Sequence, residues 1–251
     1  MPPAYRVAVM FELEWPHKRH ADIFAGTQQY ANEQGWESII DEFVDETLTR
    51  NVSTSNLYDG VIGRVNERLA RVAARQGVPV VNVWFSSPAW DKLPGVFPDY
   101  VAAGRMRAEH LLARGLRRFI VLRRNERGSR TQATAFRETV AAAGFQCSTV
   151  SLPMQPTRTF KQWQRCERQI AEFMDRWELP IGVFATVDEI GRFVAQLCQR
   201  RGWRVPEDVA IITGSNEETI CEHARPSLTS VMPPSEATAG KSTSSMRKTS
   251  T

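Results

Sequence analysis

Short apolar runs alternate with longer stretches in which apolar positions recur every three or four residues, and this alternation continues from Arg6 to Val231. The runs Arg6–Phe11, Trp36–Ile40, Val61-Ile62, Val78–Phe85, Val96-Phe97, Arg118–Leu122, Cys147–Leu152 and Ile181–Ala185 are short and rich in β-branched residues, which predicts strands. Between them, helical spacing runs through Ile23, Phe24, Tyr30 and Ala31 to Gly35. It returns in Leu69–Gly77, Val101–Arg114, Ser129–Ala143 and Phe160–Trp177. From Val183 the order is an apolar strand, a polar turn holding Asp188, an amphipathic helix, a Gly-x-x-Val-Pro-Glu-Asp turn and a second buried strand. Ser215, Asn216, Glu217 and Glu218 follow that strand. Strands such as Val78–Phe85 are apolar on consecutive positions, as expected of parallel strands covered on both faces. Strands alternating this regularly with helices predict an α/β protein with doubly wound, mostly parallel sheets.

Composition narrows the function classes. The 251 residues are 42% hydrophobic and 24% charged, enough to build a substantial core. Lys and Arg number 32 against 28 Asp and Glu, a mild excess that permits a nucleic-acid partner without indicating one. The basic stretch Arg114 to Arg130 reads as solvated helix ends and loops. Cys147, Cys166, Cys198 and Cys221 show no CxxC or Cys/His metal spacing, so they read as reduced, mostly buried small hydrophobes. His17 and His20 lie three apart without a third ligand, and His110 sits inside a helix; no metal and no cofactor are expected. Met1–Arg6 lacks the pattern of a secretory signal, and no apolar run nears the roughly 20 residues of a membrane span, so a cytoplasmic protein is expected. No GxSxG elbow, phosphate loop or Cys/His pair supplies enzyme chemistry. From Pro233 to Thr251 the chain turns to Ser, Thr, Lys and small residues, and disorder is expected there.

In open α/β sheets, ligands sit at the carboxyl ends of the strands. That geometry singles out Glu12, Glu14, Trp15 and Arg19 after the first strand, Arg64 after Val61-Ile62, and Trp84 with Ser86 after the long apolar run. It also selects Asp99 before a helix, Arg130 and Gln132 in the turn before the Phe136 helix, Asp188, and Ser215 with Asn216. Carboxylates and guanidinium forks pair neighbouring hydroxyls, and a Trp ring covers the C–H face of a sugar. Each residue also has a plainer reading. Asp99 and Asp188 fit helix capping as well as ligand contact. Arg64 and Arg130 fit solvated surface as well as a pocket. Trp84 reads more readily as core. Glu12 and Glu14 alternate after a strand, so one faces the site and the other solvent.

Several segments, taken in series, resemble one family. Val183–Val231 (VFATVDEIGRFVAQLCQRRGWRVPEDVAIITGSNEETICEHARPSLTSV), Phe97–Phe119 (FPDYVAAGRMRAEHLLARGLRRF) and Ser129–Gly144 (SRTQATAFRETVAAAG) are similar to the effector-binding domains of Lac and Gal repressor-type regulators. Those domains have the two-lobed periplasmic-binding-protein type I fold. The resemblance implies an N-terminal lobe over residues 1–115, a C-terminal lobe over 116–231, crossings near Gly115–Arg118 and Pro226–Val231, and a separate tail over 232–251. Asn216-Glu217-Glu218 and the long polar loop after the first strand resemble the xylose-regulator subfamily in particular. That branch carries an arabinose-regulator-type double helix-turn-helix after the sugar domain. The tail offers no counterpart to it, so a premature or frame-shifted end is expected.

The function implied is a sugar sensor, binding xylose or a similar pentose between its lobes. It would act on transcription as a homodimer, with DNA contacted only through the missing domain. A free-standing cytoplasmic small-molecule-binding protein is the alternative. One departure stands out: Ser215 occupies the position where the family turn carries an Asp, replacing a charged acceptor by a neutral one.

Overall fold

The computed structural model describes residues 5–11, 18–50, 57–152, 159–222 and 225–231; the side chains of Lys18, Arg19, Glu218 and Thr219 are not among what it describes. The chain divides into two compact units, with the division at Pro98–Asp99.

The first unit opens with β1 (Arg6–Met10), α1 (Lys18–Gln34), β2 (Glu37–Ile40) and α2 (Val44–Arg50). It continues through β3 (Gly60–Gly63), α3 (Glu67–Gln76) and β4 (Val80–Asn82). Its four strands pair in parallel in the order β2-β1-β3-β4. Ala8, Val61 and Val80 pack with Val44 and Leu48 of α2 and with Leu69 and Ala73 of α3 on one face of this sheet. Asn66 caps α3 by accepting the Leu69 N–H at 2.8 Å, and Gly77 ends it at φ 68°, as the sequence pattern predicts.

The second unit contains α4 (Tyr100–Leu112), β5 (Phe119–Arg123), α5 (Arg127–Ala142), β6 (Cys147–Ser151) and α6 (Phe160–Met174). β7 (Ile181–Ala185), α7 (Asp188–Arg200), β8 (Val209–Thr213), α8 (Glu218–Cys221) and β9 (Thr229–Ser230) complete it. Its sheet, β6-β5-β7-β8-β9, is also parallel and repeats the strand order of the first unit. Alternating residues of β5 and β8 serve opposite faces. Ile120, Leu122, Val209 and Ile211 meet α6 and α7, whereas Phe119, Val121, Ala210 and Ile212 meet α4 and α5. Both faces are therefore covered by helices, which is why these strands read as unbroken apolar runs. Gly104 permits the close approach of α4 to α5, since a Cβ there would sit 2.3 Å from the Gln132 carbonyl oxygen.

Three expectations change. Because α4 packs on α5 and β8, the chain divides before Asp99, and not near Gly115. The apolar run Val78–Phe85 is a strand only over Val80–Asn82. Val96-Phe97 is not a strand: Gly95 forms a single bridge to Asn82, flanked by bonds from Asn82 N–H to Pro94 O and from Val96 N–H to Asn82 O. Three short elements, α2, α8 and β9, were not anticipated. The residues from 232 onward lie outside the described residues.

Of the cysteines, Cys166, Cys198 and Cys221 are buried and Cys147 is half-buried; all four are free. Among the described residues no helix is long and apolar enough to cross a membrane.

Candidate functional site

Both sheets place polar loops at the carboxyl ends of their parallel strands. In the first unit, Glu12, Glu14 and Trp15 lie outside the described residues, as does the side chain of Arg19. Arg64 follows β3 directly, and its guanidinium carbon stands 4.7 Å from the centroid of the Trp84 ring beyond β4. Both residues are half-buried, so Trp84 is a platform under a cation and not the core residue its apolar run suggested.

The two loops are held together by residues the sequence reading passed over. Asn82, fully buried at the end of β4, accepts the N–H groups of Trp84 at 2.9 Å and Val65 at 3.3 Å, and donates to the Trp84 carbonyl at 3.1 Å. Buried Ser87 donates to the Val65 carbonyl and accepts the Ala89 N–H. One amide and one hydroxyl thus fix where Arg64 and Trp84 stand.

In the second unit the turn after β8 is gripped from two sides. Asp188, expected at a strand end, is the first residue of α7 and is fully buried. Its carboxylate accepts the N–H of Ser215 at 3.1 Å and of Glu217 at 2.6 Å. Opposite it, Arg107 of α4 is 1% exposed. Its Nε donates to the Thr213 carbonyl at 2.9 Å and one Nη to the Gly214 carbonyl at 2.9 Å. The other Nη donates to Gln132 Oε1 at 3.0 Å. A buried anion therefore takes the amides of the turn and a buried cation its carbonyls. Gly214 lies so close to the end of β7 that a Cβ would sit 2.2 Å from the Thr186 carbonyl oxygen. Asn216 adopts φ 56°, the left-handed region that Asn tolerates better than most residues. The side chains of Ser215 and Asn216 remain half-buried at the tip of this clamped turn. Nearby, burial first and the Asp188 charge second push the Cys221 thiol up to about 11, so it stays protonated.

The remaining candidates take structural positions. Asp99 caps α4, accepting the N–H groups of Val101 at 3.1 Å and Ala102 at 2.8 Å. Arg130 and Gln132 are not in a turn but inside α5, because that helix already starts at Arg127. Arg130 is exposed; Gln132 is buried as the partner of Arg107. At the switch point between β5 and β7, the Arg124 N–H donates to Thr186 Oγ1 at 3.3 Å. The Arg124 guanidinium lies 3.8 Å from Glu189. Among the described residues no group of His, Cys, Asp and Glu is arranged to hold a metal ion.

Arg107 carried a legible signal. It falls four residues after Ala103 and four before Leu111, in the buried stripe of α4. A charge inside an apolar stripe needs internal partners.

A family model for the periplasmic binding protein-like domain matches residues 108–246, more than half of the chain. The chain belongs to that family. The match runs past Val231, where the resemblance read from sequence ends. The chain is 25% identical over 238 residues to the xylose operon regulatory protein of Escherichia coli strain K12, an alignment covering 90% of this chain and 59% of that protein. It therefore spans about three-fifths of that relative's length. It is 30% identical over 140 residues to the HTH-type transcriptional regulator CelR of Thermobifida fusca, covering 55% of this chain and 40% of that protein.

Among solved structures, a xylose-binding transcription activator superposes with a TM-score of 0.73 at 20% identity, covering 96% of this chain and 62% of that one. A periplasmic binding protein/LacI transcriptional regulator from Alkaliphilus metalliredigens, complexed with D-xylulofuranose, gives 0.66 at 20% identity, covering 95% of this chain and 88% of that one. These likenesses show the fold: two parallel α/β units of the type I binding-protein kind.

Proposed function

We propose that this chain is the sugar-sensing effector region of a transcription regulator, with xylose or a closely similar pentose as its ligand. The observation that carries the reading is the alignment with the xylose operon regulatory protein along nine-tenths of the chain. The site chemistry supports it. Ser215 and Asn216 offer a hydroxyl and a carboxamide from a turn fixed on both sides, and Arg64 over Trp84 offers a cation and an aromatic face. Hydroxyl-rich ligands are held by such directional groups together with a flat apolar surface. Ser215 is a neutral acceptor, so any charged acceptor for the sugar is supplied by another residue. In this reading the residues at the strand ends bind and do not react. The signal passes to DNA through a DNA-binding domain distinct from these two α/β units, and two copies of the chain act together, as paired operator sites require.

Thermal melting of the chain with D-xylose, L-arabinose, D-ribose or D-glucose tests this. A ligand that binds only the folded state stabilises it by about 2.7 kcal/mol at one hundred times its Kd. D-xylose is expected to raise the midpoint more than the other three. A cooperative transition that none of the four sugars moves would overturn the reading.

A further inference from the structure

Arg107 does one thing beyond gripping the turn. The Nη that donates to the Gly214 carbonyl also reaches the carbonyl of Val231, at 3.3 Å. Val231 follows β9 and is the last of the described residues. Arg107 itself sits on α4, the first helix of the same unit. One guanidinium therefore joins the first helix, the polar turn and the segment at Thr229–Val231.

We propose that Arg107 is a positioning residue that makes the turn at Gly214–Glu217 and the segment at Thr229–Val231 respond as one. The proposal rests on the sugar-binding reading only for the identity of what presses on the turn.

Three observations carry it. First, the guanidinium is desolvated, and a buried cation is stable only while its donors are met. Its partners include three backbone carbonyls and the Gln132 oxygen, with the Phe184 ring centroid 5.3 Å away. Displacing one acceptor forces the others to adjust. Second, the bonds differ in length by region. Those that hold the turn run from 2.6 to 3.1 Å. Beside the parallel pairing of β8 with β9, the side-chain bonds to the segment at Thr229–Val231 run from 3.3 to 3.4 Å: Arg107 to Val231 O, Thr213 Oγ1 to Thr229 O, and Ser230 Oγ to the Thr213 carbonyl. The side-chain grip is thus shorter on the turn than on the segment at Thr229–Val231, whose strand β9 also pairs with β8. Third, the turn cannot give way toward β7, because Gly214 already touches the Thr186 carbonyl. A ligand that pulls on Ser215 or Asn216 thus redirects the Gly214 carbonyl, and the shared Nη carries the change to Val231. Lysine cannot reproduce this, since its ammonium is a single point with no planar fork.

Hydrogen exchange on the full chain tests the coupling without any ligand. In Arg107→Lys, the amides of 214–217 and of 229–231 are expected to exchange together, faster by at least about tenfold, as the loss of one charge-assisted hydrogen bond implies. The amides of β5 and β7 should keep their rates. If Arg107→Lys does not fold, Gln132→Ala leaves the guanidinium in place but removes one anchor. It should produce the same paired pattern with smaller amplitude. Acceleration confined to one of the two segments, or spread evenly over the unit, overturns the proposal.

D-xylose supplies a second arm. In the native chain it should slow exchange in both segments, and in Arg107→Lys it should slow 214–217 alone. Equal protection of both segments in the variant overturns the coupling. No protection anywhere in the native chain counts against the sugar reading, while the ligand-free comparison still decides the role of Arg107.

Discussion

At the end of β4 one neutral amide, Asn82, holds two loops, whereas at the end of β8 a buried arginine and a buried aspartate hold one turn between them. The difference follows from what each side chain can offer. An amide donates and accepts, so Asn82 serves both loops and leaves no charge to compensate. Arg107 only donates and Asp188, ionised, only accepts. Each therefore collects one kind of backbone group, and the turn is sorted into carbonyls on one side and amides on the other. Hydrogen bonds to charged groups are roughly twice as strong as neutral ones, but a buried charge that loses its partners is expensive. The second unit thus gains a firmer turn and a greater sensitivity to substitution.

The largest test of this contrast is Asp188→Ala. It leaves the Ser215 and Glu217 amides without their acceptor and removes the anion beneath the turn. Urea unfolding should show a loss of about 3 kcal/mol or more. A loss below about 1 kcal/mol, the size of a single neutral bond, would mean that the carboxylate is not what fixes the turn. Asn82→Ala comes next. It removes three neutral hydrogen bonds at a fully buried position, and about 2 kcal/mol is expected. Faster hydrogen exchange should appear at Val65 and Trp84, with Ser215 and Glu217 unchanged. Equal losses in the two variants would show that charge is not what separates the two regions.

How far the sequence revealed this depends on whether side chains or the backbone pattern decide. β7 is legible from end to end, because Ile181–Ala185 is buried on both faces and every residue is apolar or glycine. β4 is not. Val83, Trp84 and Phe85 continue the apolar run, but the Asn82 side chain takes the Trp84 N–H and turns the chain away. α2 offers only Val44 and Leu48 to the core, too few to set a helical period. At the site, Asp188, Ser215 and Asn216 were legible as polar residues beside strand ends. Arg107 was passed over, because a helical arginine is usually solvated; its one legible sign is its place between Ala103 and Leu111. Asn82 gave the same kind of sign: a single polar residue inside an apolar run. In both regions the bracing group is the polar residue that interrupts an otherwise apolar pattern.

The smallest effect belongs to Asp99, and it sharpens the comparison within the second unit alone. Asp99 and Asp188 both stand at helix starts, and both accept two backbone N–H groups. Asp99 accepts from Val101 and Ala102 of its own helix and is exposed. Asp188 accepts from a different segment and is fully buried. When Asp99 is replaced by Ala, water can take the place of the lost oxygen, and the expected loss is about 1 kcal/mol, that of an ordinary cap. The amides of 214–217 should exchange at their native rates, since nothing in the cap touches the turn. Were Asp99→Ala to match Asp188→Ala in magnitude, burial would not be the property that makes one aspartate a cap and the other a brace. With the expected difference, two aspartates at helix starts, Asp99 at the cap and Asp188 one position further in, act differently because water reaches one carboxylate and not the other.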